Sequence, residues 1–354
     1  MPSSSISVSA ILPCYNHQQF LEQRIDSVLS QEHELREIIF LDDASTDDSV
    51  ALARRYLRKA PCPVYFHSNQ ENSQSAFLQW NRGVRMATGQ CVWIAETDDA
   101  CAPSMIKQLV ARFAKQGVVL AYCQSRYIDN NGNITGSPRS FTDSYWPFVF
   151  ANDFLIDGSD FNRNFLSKAN VIPNASAVLF DRLAYLSAGL ANTSMATCGD
   201  WEMWIRLAEM GEIAYVSEYL NLFRRPQYGS CASGFTSKMK AEFLACRLRA
   251  SLSHSETPVI PRFNIFLLRL RPISCVLGFS FLFSFINYEE FFAVKSYYDK
   301  LSNVILVGRS AWLLILVSSC LRFVLAIVIS LASSFSSHLQ RYVSRLSWWS
   351  YLCD

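Results

Sequence analysis

Short apolar runs alternate with stretches of helical period through the N-terminal part of the chain. Ile6 to Leu12 alternates and then runs apolar, which predicts a first strand that stops at Pro13-Cys14-Tyr15-Asn16. A helix is predicted over roughly Gln18 to Gln31, with Phe20, Ile25, Val28 and Leu29 on one face and Asn16 available as its cap. Glu37 to Leu41 is a second strand ending on Asp42-Asp43, and the turn Ala44 to Asp48 offers capping oxygens for a helix to about Arg58. Val64 to His67 is a third strand, a helix over about Ser75 to Ala87 ends near Gly89, and Val92 to Ala95 is a fourth strand that runs into Glu96-Thr-Asp-Asp99. Strands alternating with helical patterns predict βαβ units and a parallel sheet.

After Asp99 the pattern loosens. A helix is expected from Pro103 through Lys115, strands at Val118–Tyr122, Ser125–Asp129 and Ser176–Phe180, a mixed loop over Pro138–Asp160, and a helix over Asp200–Met210 with Trp201, Trp204, Ile205 and Ala208 on one face. Strands at Ile213–Val216 and Tyr219–Phe223 and an amphipathic helix from Phe235 to about Ser253 follow. This places one domain over residues 1–257, with a first half to about residue 100 and a second to about 230.

Residues 258–354 read differently. Pro272 to Tyr288 carries no charge, and Val304 to Phe335 is a longer apolar run broken by Arg309 and Arg322. A spanning helix needs about 20 apolar residues, and Arg322 near the centre of the second run is costly in lipid. The reading is an apolar helical region that lies in or re-enters a membrane interface; two clean spans or a dimerisation module are the alternatives. Arg269, Arg271, Arg341 and Arg345 flank it, as expected if both ends face the cytosol.

The chain has 354 residues and a net charge of +2. It shows no basic stripe with interleaved aromatics, so nucleic acid is not an expected partner. Eleven cysteines without a C-x-x-C pair argue against a disulfide framework or structural zinc and suit a reducing compartment.

Three predicted strands end in polar sets, at Pro13-Cys14-Tyr15-Asn16, at Asp42-Asp43 and at Glu96 to Asp99. In a parallel sheet those ends share one edge, where ligands bind in open α/β folds. Asp42-Asp43 reads either as a ribose or base contact or as an Asx turn. Asp98-Asp99 reads either as a solvated turn or as a site for magnesium or manganese, ions that take few protein carboxylates and complete their shell with phosphate and water. Asp200 reads either as the N-cap of its helix or as a general base at the helix mouth.

These segments together resemble the family 2 glycosyltransferases with a GT-A fold. The resemblance runs from about Ser7 to Cys231 and is carried by Val8-Ser-Ala-Ile-Leu-Pro-Cys-Tyr-Asn16, the run ending Leu41-Asp-Asp-Ala-Ser-Thr-Asp47, Gln79-Trp-Asn-Arg-Gly-Val84, Ala87-Thr-Gly89, Trp93-Ile-Ala-Glu-Thr-Asp-Asp99, Asn174-Ala-Ser-Ala-Val-Leu-Phe180 and Gly199-Asp-Trp-Glu-Met-Trp-Ile-Arg206. It is similar to bacterial members that build surface polysaccharides. It implies a Rossmann-type mixed, mainly parallel sheet flanked by helices, and inverting transfer of a sugar from a nucleotide diphosphate to an acceptor hydroxyl. By position, Pro13, Tyr15, Asn16, Asp42, Asp43 and Gln79 would serve the nucleotide sugar, Asp98 and Asp99 a divalent cation (Mn2+ or Mg2+) and the diphosphate, and Asp200 would be the general base. Gly199 stands where the family has Glu before this Asp, and Glu96 where the first acid of D-x-D often stands. Many members carry Arg-x-His where this chain has Arg224-Arg225-Pro226. Proline can neither ligate nor donate, so Arg224 or Arg225 would clamp the diphosphate. The expected partners are a nucleotide-sugar donor, a saccharide or lipid-linked saccharide acceptor and the cytoplasmic face of the cell membrane. A non-catalytic nucleotide-sugar-binding homologue is the alternative that Pro226 motivates.

Overall fold

Seven successive buried residues, Val8–Cys14, form strand β1 at the heart of a ten-stranded sheet in the computed structural model. The structure describes residues 6–225 and 236–253, which fall in a unit ending at Val259. The expected apolar region after residue 258, and Pro226, lie outside the described residues. No helix among the described residues is long and apolar enough to cross a membrane.

In chain order, β1 is followed by α1 (Gln18–Leu29), β2 (Leu35–Asp42), α2 (Ser49–Tyr56), β3 (Val64–Ser68), α3 (Ala76–Met86), β4 (Cys91–Ile94), β5 (Ala100–Cys101) and α4 (Met105–Arg112). Then come β6 (Val118–Ile128), β7 (Ile134–Gly136), α5 (Arg139–Tyr145), β8 (Phe154–Asp157), α6 (Gly158–Phe161), β9 (Val178–Asp181), α7 (Arg182–Ser187), α8 (Gly199–Ala208), β10 (Glu212–Arg224) and α9 (Ser237–Leu252). The sheet runs β3-β2-β1-β4-β9-β6-β10-β5, with β7 on β6 and β8 on β10.

The first four strands pair in parallel, as their βαβ pattern predicts. The second half departs from a mainly parallel sheet. β9 starts at the ligand edge and runs back across the sheet, so it pairs antiparallel with both β4 and β6, and β5, β7 and β8 also add antiparallel. Only β6 and β10 restore a parallel pair there. The breaks expected near Cys123 and Ser217 are not chain reversals. β6 is continuous, and β10 bends through register shifts between Val216 and Asn221.

Alternation sorts the strand residues onto two faces. Ala10, Leu12, Ile38, Phe40 and Trp93 pack with Leu21, Ile25 and Val28 of α1 and with Met105 and Leu109 of α4. On the opposite face Gly83 of α3 lies so close to Ile11 that a Cβ there would sit 2.5 Å from Ile11 Cγ2. The Phe180 ring packs there against Trp204 of α8 and Tyr185 of α7.

Two expected caps differ. Asn16, at φ 54°, does not cap α1; its Oδ1 accepts from the Thr46 N–H at 2.8 Å. The free N–H groups at the start of α1 go instead to the next loop, His17 N to Ser49 Oγ (3.1 Å) and Gln18 N to Asp47 Oδ2 (3.1 Å). α3 ends at Met86 with Ala87 as its C-cap, not on Gly89. Gly89 is needed for close approach, since a Cβ would lie 2.7 Å from Ser9 Oγ.

Candidate active site

The parallel register brings the polar strand ends to one edge. Cys14 lies opposite Asp42, the Asp43 N–H donates to Cys14 O (2.9 Å), and the Ala95 N–H donates to Ile11 O (2.8 Å). Thr97 Oγ1 donates to Pro13 O (2.8 Å) and meets His17 Nδ1 at 2.7 Å. Backbone pairing thus sets Pro13 and Cys14 beside Asp42 and Asp43, the Thr97 side chain ties the acidic turn to Pro13, and Tyr15 is exposed.

Asp43 is the hub of the loop after β3. Its carboxylate accepts from Asn69 Nδ2, Ser73 N, Ser73 Oγ and Gln79 Nε2 at 2.5–2.9 Å. That explains Gln79, which is buried on α3 with its Oε1 left without a partner. Asp42 accepts from the Ser45 N–H at 3.2 Å, the Asx-type turn that the sequence allows.

The three acids after β4 have separate surroundings. Glu96 turns inward and accepts from Trp80 Nε1 at 2.7 Å; burial, then the charge of Asp98, pushes its carboxyl up to about 8. Asp99 is 1% exposed and both its oxygens are occupied, Oδ1 by the Arg224 N–H (2.8 Å) and Oδ2 by Asn174 Nδ2 (2.5 Å), with Arg24 Nη2 at 3.9 Å. Burial, then the Asp98 charge, raises it to about 7 against the opposing pull of Arg24. Asp99 therefore holds the turn together from inside. Asp98 is half-buried, and no hydrogen-bond donor among the described residues reaches its carboxylate.

Among the described residues no three side chains gather as a metal cluster. A single unspent carboxylate at the sheet edge fits a magnesium or manganese ion that keeps most of its shell in diphosphate and water. Asp98 is the residue with a free carboxylate to hold it, whereas Asp99, expected beside it as a metal residue, is buried and bonded through both oxygens to Arg224 and Asn174.

Asp200 is the second residue of α8 and not its cap, since Cys198 occupies that position without a side-chain capping bond. Its Oδ2 accepts from Asn170 Nδ2 at 3.1 Å, and burial pushes its carboxyl up to about 6. A chain of packing ties this helix mouth to the acidic turn. Phe77 meets Trp80 edge-on at 5.1 Å, Trp80 stacks on Trp204 at 6.1 Å, and Trp80 holds Glu96. Phe77 also explains Gly199, where a Cβ would lie 2.5 Å from Phe77 Cε2. Gly199→Ala is expected to lower stability by about 1–3 kcal/mol through overpacking, measured by urea unfolding.

The two arginines divide as well. Arg224 is 4% exposed and spends its guanidinium inside, donating from Nε to Asp98 O (2.7 Å), from Nη2 to Gln23 Oε1 (2.6 Å) and from Nη1 to Asp129 O. Arg225 is exposed, with its guanidinium over the Tyr127 ring at 4.8 Å. Arg24, Asn170 and Asn174 were not singled out as site residues from sequence. Asn174 at least lay in a resembling segment, whereas Arg24 looks like one more polar residue of an amphipathic helix.

The profile of Glycosyl transferase family 2 matches residues 9–171. The uncharacterized glycosyltransferase YibD of Escherichia coli K12 is 26% identical over 180 residues, which cover 44% of this chain and 52% of that protein. The chain thus spans about half the length of this relative. The crystal structure of S. aureus TarS 1-349 in complex with UDP-GlcNAc superposes with a TM-score of 0.53 at 15% identity, covering 72% of this chain and 75% of that one. The mannosyltransferase PcManGT of Pyrobaculum calidifontis, in complex with GDP-Man and Mn2+, superposes at 0.52 and 18% identity, covering 97% and 84%. Residues 9–171 thus match the family 2 glycosyltransferases, and the mixed α/β sheet shares the fold of the two superposed glycosyltransferase structures.

Proposed function

We propose that the chain transfers a sugar, with inversion, from a nucleotide-diphosphate donor to an acceptor hydroxyl. The observation that carries this reading is an unspent carboxylate, Asp98, beside Glu96 in a turn that Trp80 packs onto α8, the helix that bears Asp200, whose carboxyl burial raises to about 6. The two suit different tasks. Asp98 would hold a divalent cation, whose positive charge neutralises the diphosphate when bound. Asp200 would take the proton of the acceptor hydroxyl as its oxygen attacks the anomeric carbon. The bond from that carbon to the diphosphate oxygen breaks on the opposite face, and its electron pair leaves with the nucleoside diphosphate. Pro13, Tyr15, Asn16, Asp42, Asp43 and Gln79 would bound the nucleoside pocket, with Arg225 as the cation available to the diphosphate. The superposed structures in complex with UDP-GlcNAc and with GDP-Man support a nucleotide-sugar donor. The apolar runs at 272–288 and 304–335 support a lipid-linked saccharide acceptor at the cytoplasmic membrane face, in surface-polysaccharide synthesis.

The test is thermal stabilisation by UDP-GlcNAc, UDP-glucose and GDP-mannose, each with manganese. Wild type is expected to be stabilised by at least one of them, and Asp98→Asn to lose the manganese-dependent part of that shift. A wild-type protein that binds none and releases no nucleoside diphosphate would sink the proposal.

A further inference from the structure

Outside the donor site, one buried carboxylate that gathers three consecutive backbone amides lies where the family profile does not reach. Glu242 lies on α9, beyond the matched residues 9–171, and is 5% exposed. Its Oε1 accepts from the Ala196 N–H at 2.8 Å, and its Oε2 accepts from Thr197 N at 2.9 Å and Cys198 N at 3.1 Å. Those three residues are the approach to α8, and Asp200 follows Cys198 by two positions. The amides before α8 have no helical partner of their own, and a carboxylate there is favoured by the positive end of the helix.

The rest of α9 keeps Glu242 in register. Cys246, one turn on and buried, brings its Sγ to 3.7 Å from Cys198 O. Phe243 meets Trp201 edge-on at 4.7 Å. Further along, Arg249 donates to Glu209 (2.9 Å) and approaches Glu202 (3.8 Å), and Ser253 donates to Glu209 (2.8 Å). α9 is therefore a splint along α8, fastened at both ends, and its one carboxylate at the front end gathers the loop that delivers Asp200. By contrast, among the described residues Asp200 itself has a single side-chain hydrogen-bond partner, Asn170.

We propose that Glu242 is the positioning residue for the Asp200 base. By collecting three consecutive amides it sets where α8 begins, and so where the Asp200 carboxylate stands relative to the acceptor hydroxyl. The inference rests on Asp200 being the base. It acts on turnover and not on donor binding, because the nucleoside and diphosphate groups sit on β1, β2 and the acidic turn. Displacing a reacting group by about 1 Å costs on the order of 100-fold in rate.

The experiment compares wild type, Glu242→Gln, Asp200→Asn and the double variant in the full chain. It measures nucleoside diphosphate release with manganese from whichever of UDP-GlcNAc, UDP-glucose or GDP-mannose the wild type turns over fastest, with water as acceptor. Gln has one acceptor oxygen and presents N–H groups where the other amides need an acceptor. The expected result is a fall in kcat of about 10- to 100-fold with donor KM within about twofold. Amide hydrogen exchange should be faster at 196–198, and the double variant no slower than Asp200→Asn. Wild-type kcat in Glu242→Gln, or an equal further loss when it is added to Asp200→Asn, would overturn the positioning role. If Asp200→Asn keeps wild-type turnover, the base assignment fails and the positioning role with it; the exchange data still decide whether Glu242 holds the loop. Should Glu242→Gln not fold, Glu242→Asp, which keeps the charge one carbon short, takes its place with the same expected split.

Discussion

Asp200→Asn is expected to lower kcat by about 100- to 10,000-fold, the usual contribution of a positioned base, while the donor KM stays within about twofold. Asn keeps the size of the side chain and its contact with Asn170 but cannot take a proton. The pH dependence separates a base from a binding group. Burial raises the Asp200 carboxyl to about 6, so the reactive, ionised fraction is small at pH 5 and nearly complete by pH 7.5. Wild-type kcat/KM should therefore climb through about pH 6 and level off. The residual rate of the variant should lack that limb. A rising limb near 6 that survives in Asp200→Asn would place the titrating base elsewhere.

The second large effect concerns the inside of the acidic turn. Arg24 is fully buried on α1 and donates from Nε to Glu96 O (2.7 Å) and from Nη2 to Ser176 Oγ (2.8 Å), while facing Asp99. Arg24→Met removes the cation and leaves Asp99 buried without its counter-charge, a change that costs about 3–5 kcal/mol in comparable cases. The sign with pH follows from linkage. Arg24 pulls the Asp99 carboxyl down, so its loss raises that group further above about 7. A carboxyl whose folded value is raised favours the folded state below its unfolded value, and this advantage is lost as pH rises through the folded value. In metal-free buffer the penalty of Arg24→Met should thus be larger at pH 8 than at pH 5.5, where Asp99 can stay protonated. Asp99→Asn added to Arg24→Met should recover part of the loss. Urea unfolding at the two pH values measures both, and a penalty that does not vary with pH would show that the lost packing of Arg24 over Trp93 dominates instead.

The parallel half of the fold was legible because its signals are local. Each strand is a short apolar run, each helix has its own period, and the turn residues sit between them. The antiparallel insertion of β9 was not, since Val178–Asp181 carries no mark of which strands it will join or in which direction. The same limit applies to the site. Asp98 and Asp99 are identical neighbours in sequence. What separates them is Asn174, 75 positions away, and Arg24 on the first helix. Asp200 stands at a helix start, where a cap and a base look alike in sequence. The structure gives the cap position to Cys198 and the loop's amides to Glu242, which an amphipathic helix far down the chain conceals among its polar positions.

The order in which the sheet is assembled has a consequence during synthesis. β1 to β4 can pair as soon as residues 8–94 have emerged, since every partner is close in sequence. At that moment Cys91–Ile94, wholly apolar and fully buried in the finished protein, presents an unpaired edge, and it stays open until residues 178–181 arrive to cover it. A half-made chain therefore exposes a template for strand addition during translation of the whole intervening stretch. A ribosome that pauses within that stretch prolongs the exposure, and holdase chaperones are then what stands between the nascent half-sheet and its neighbours on the polysome.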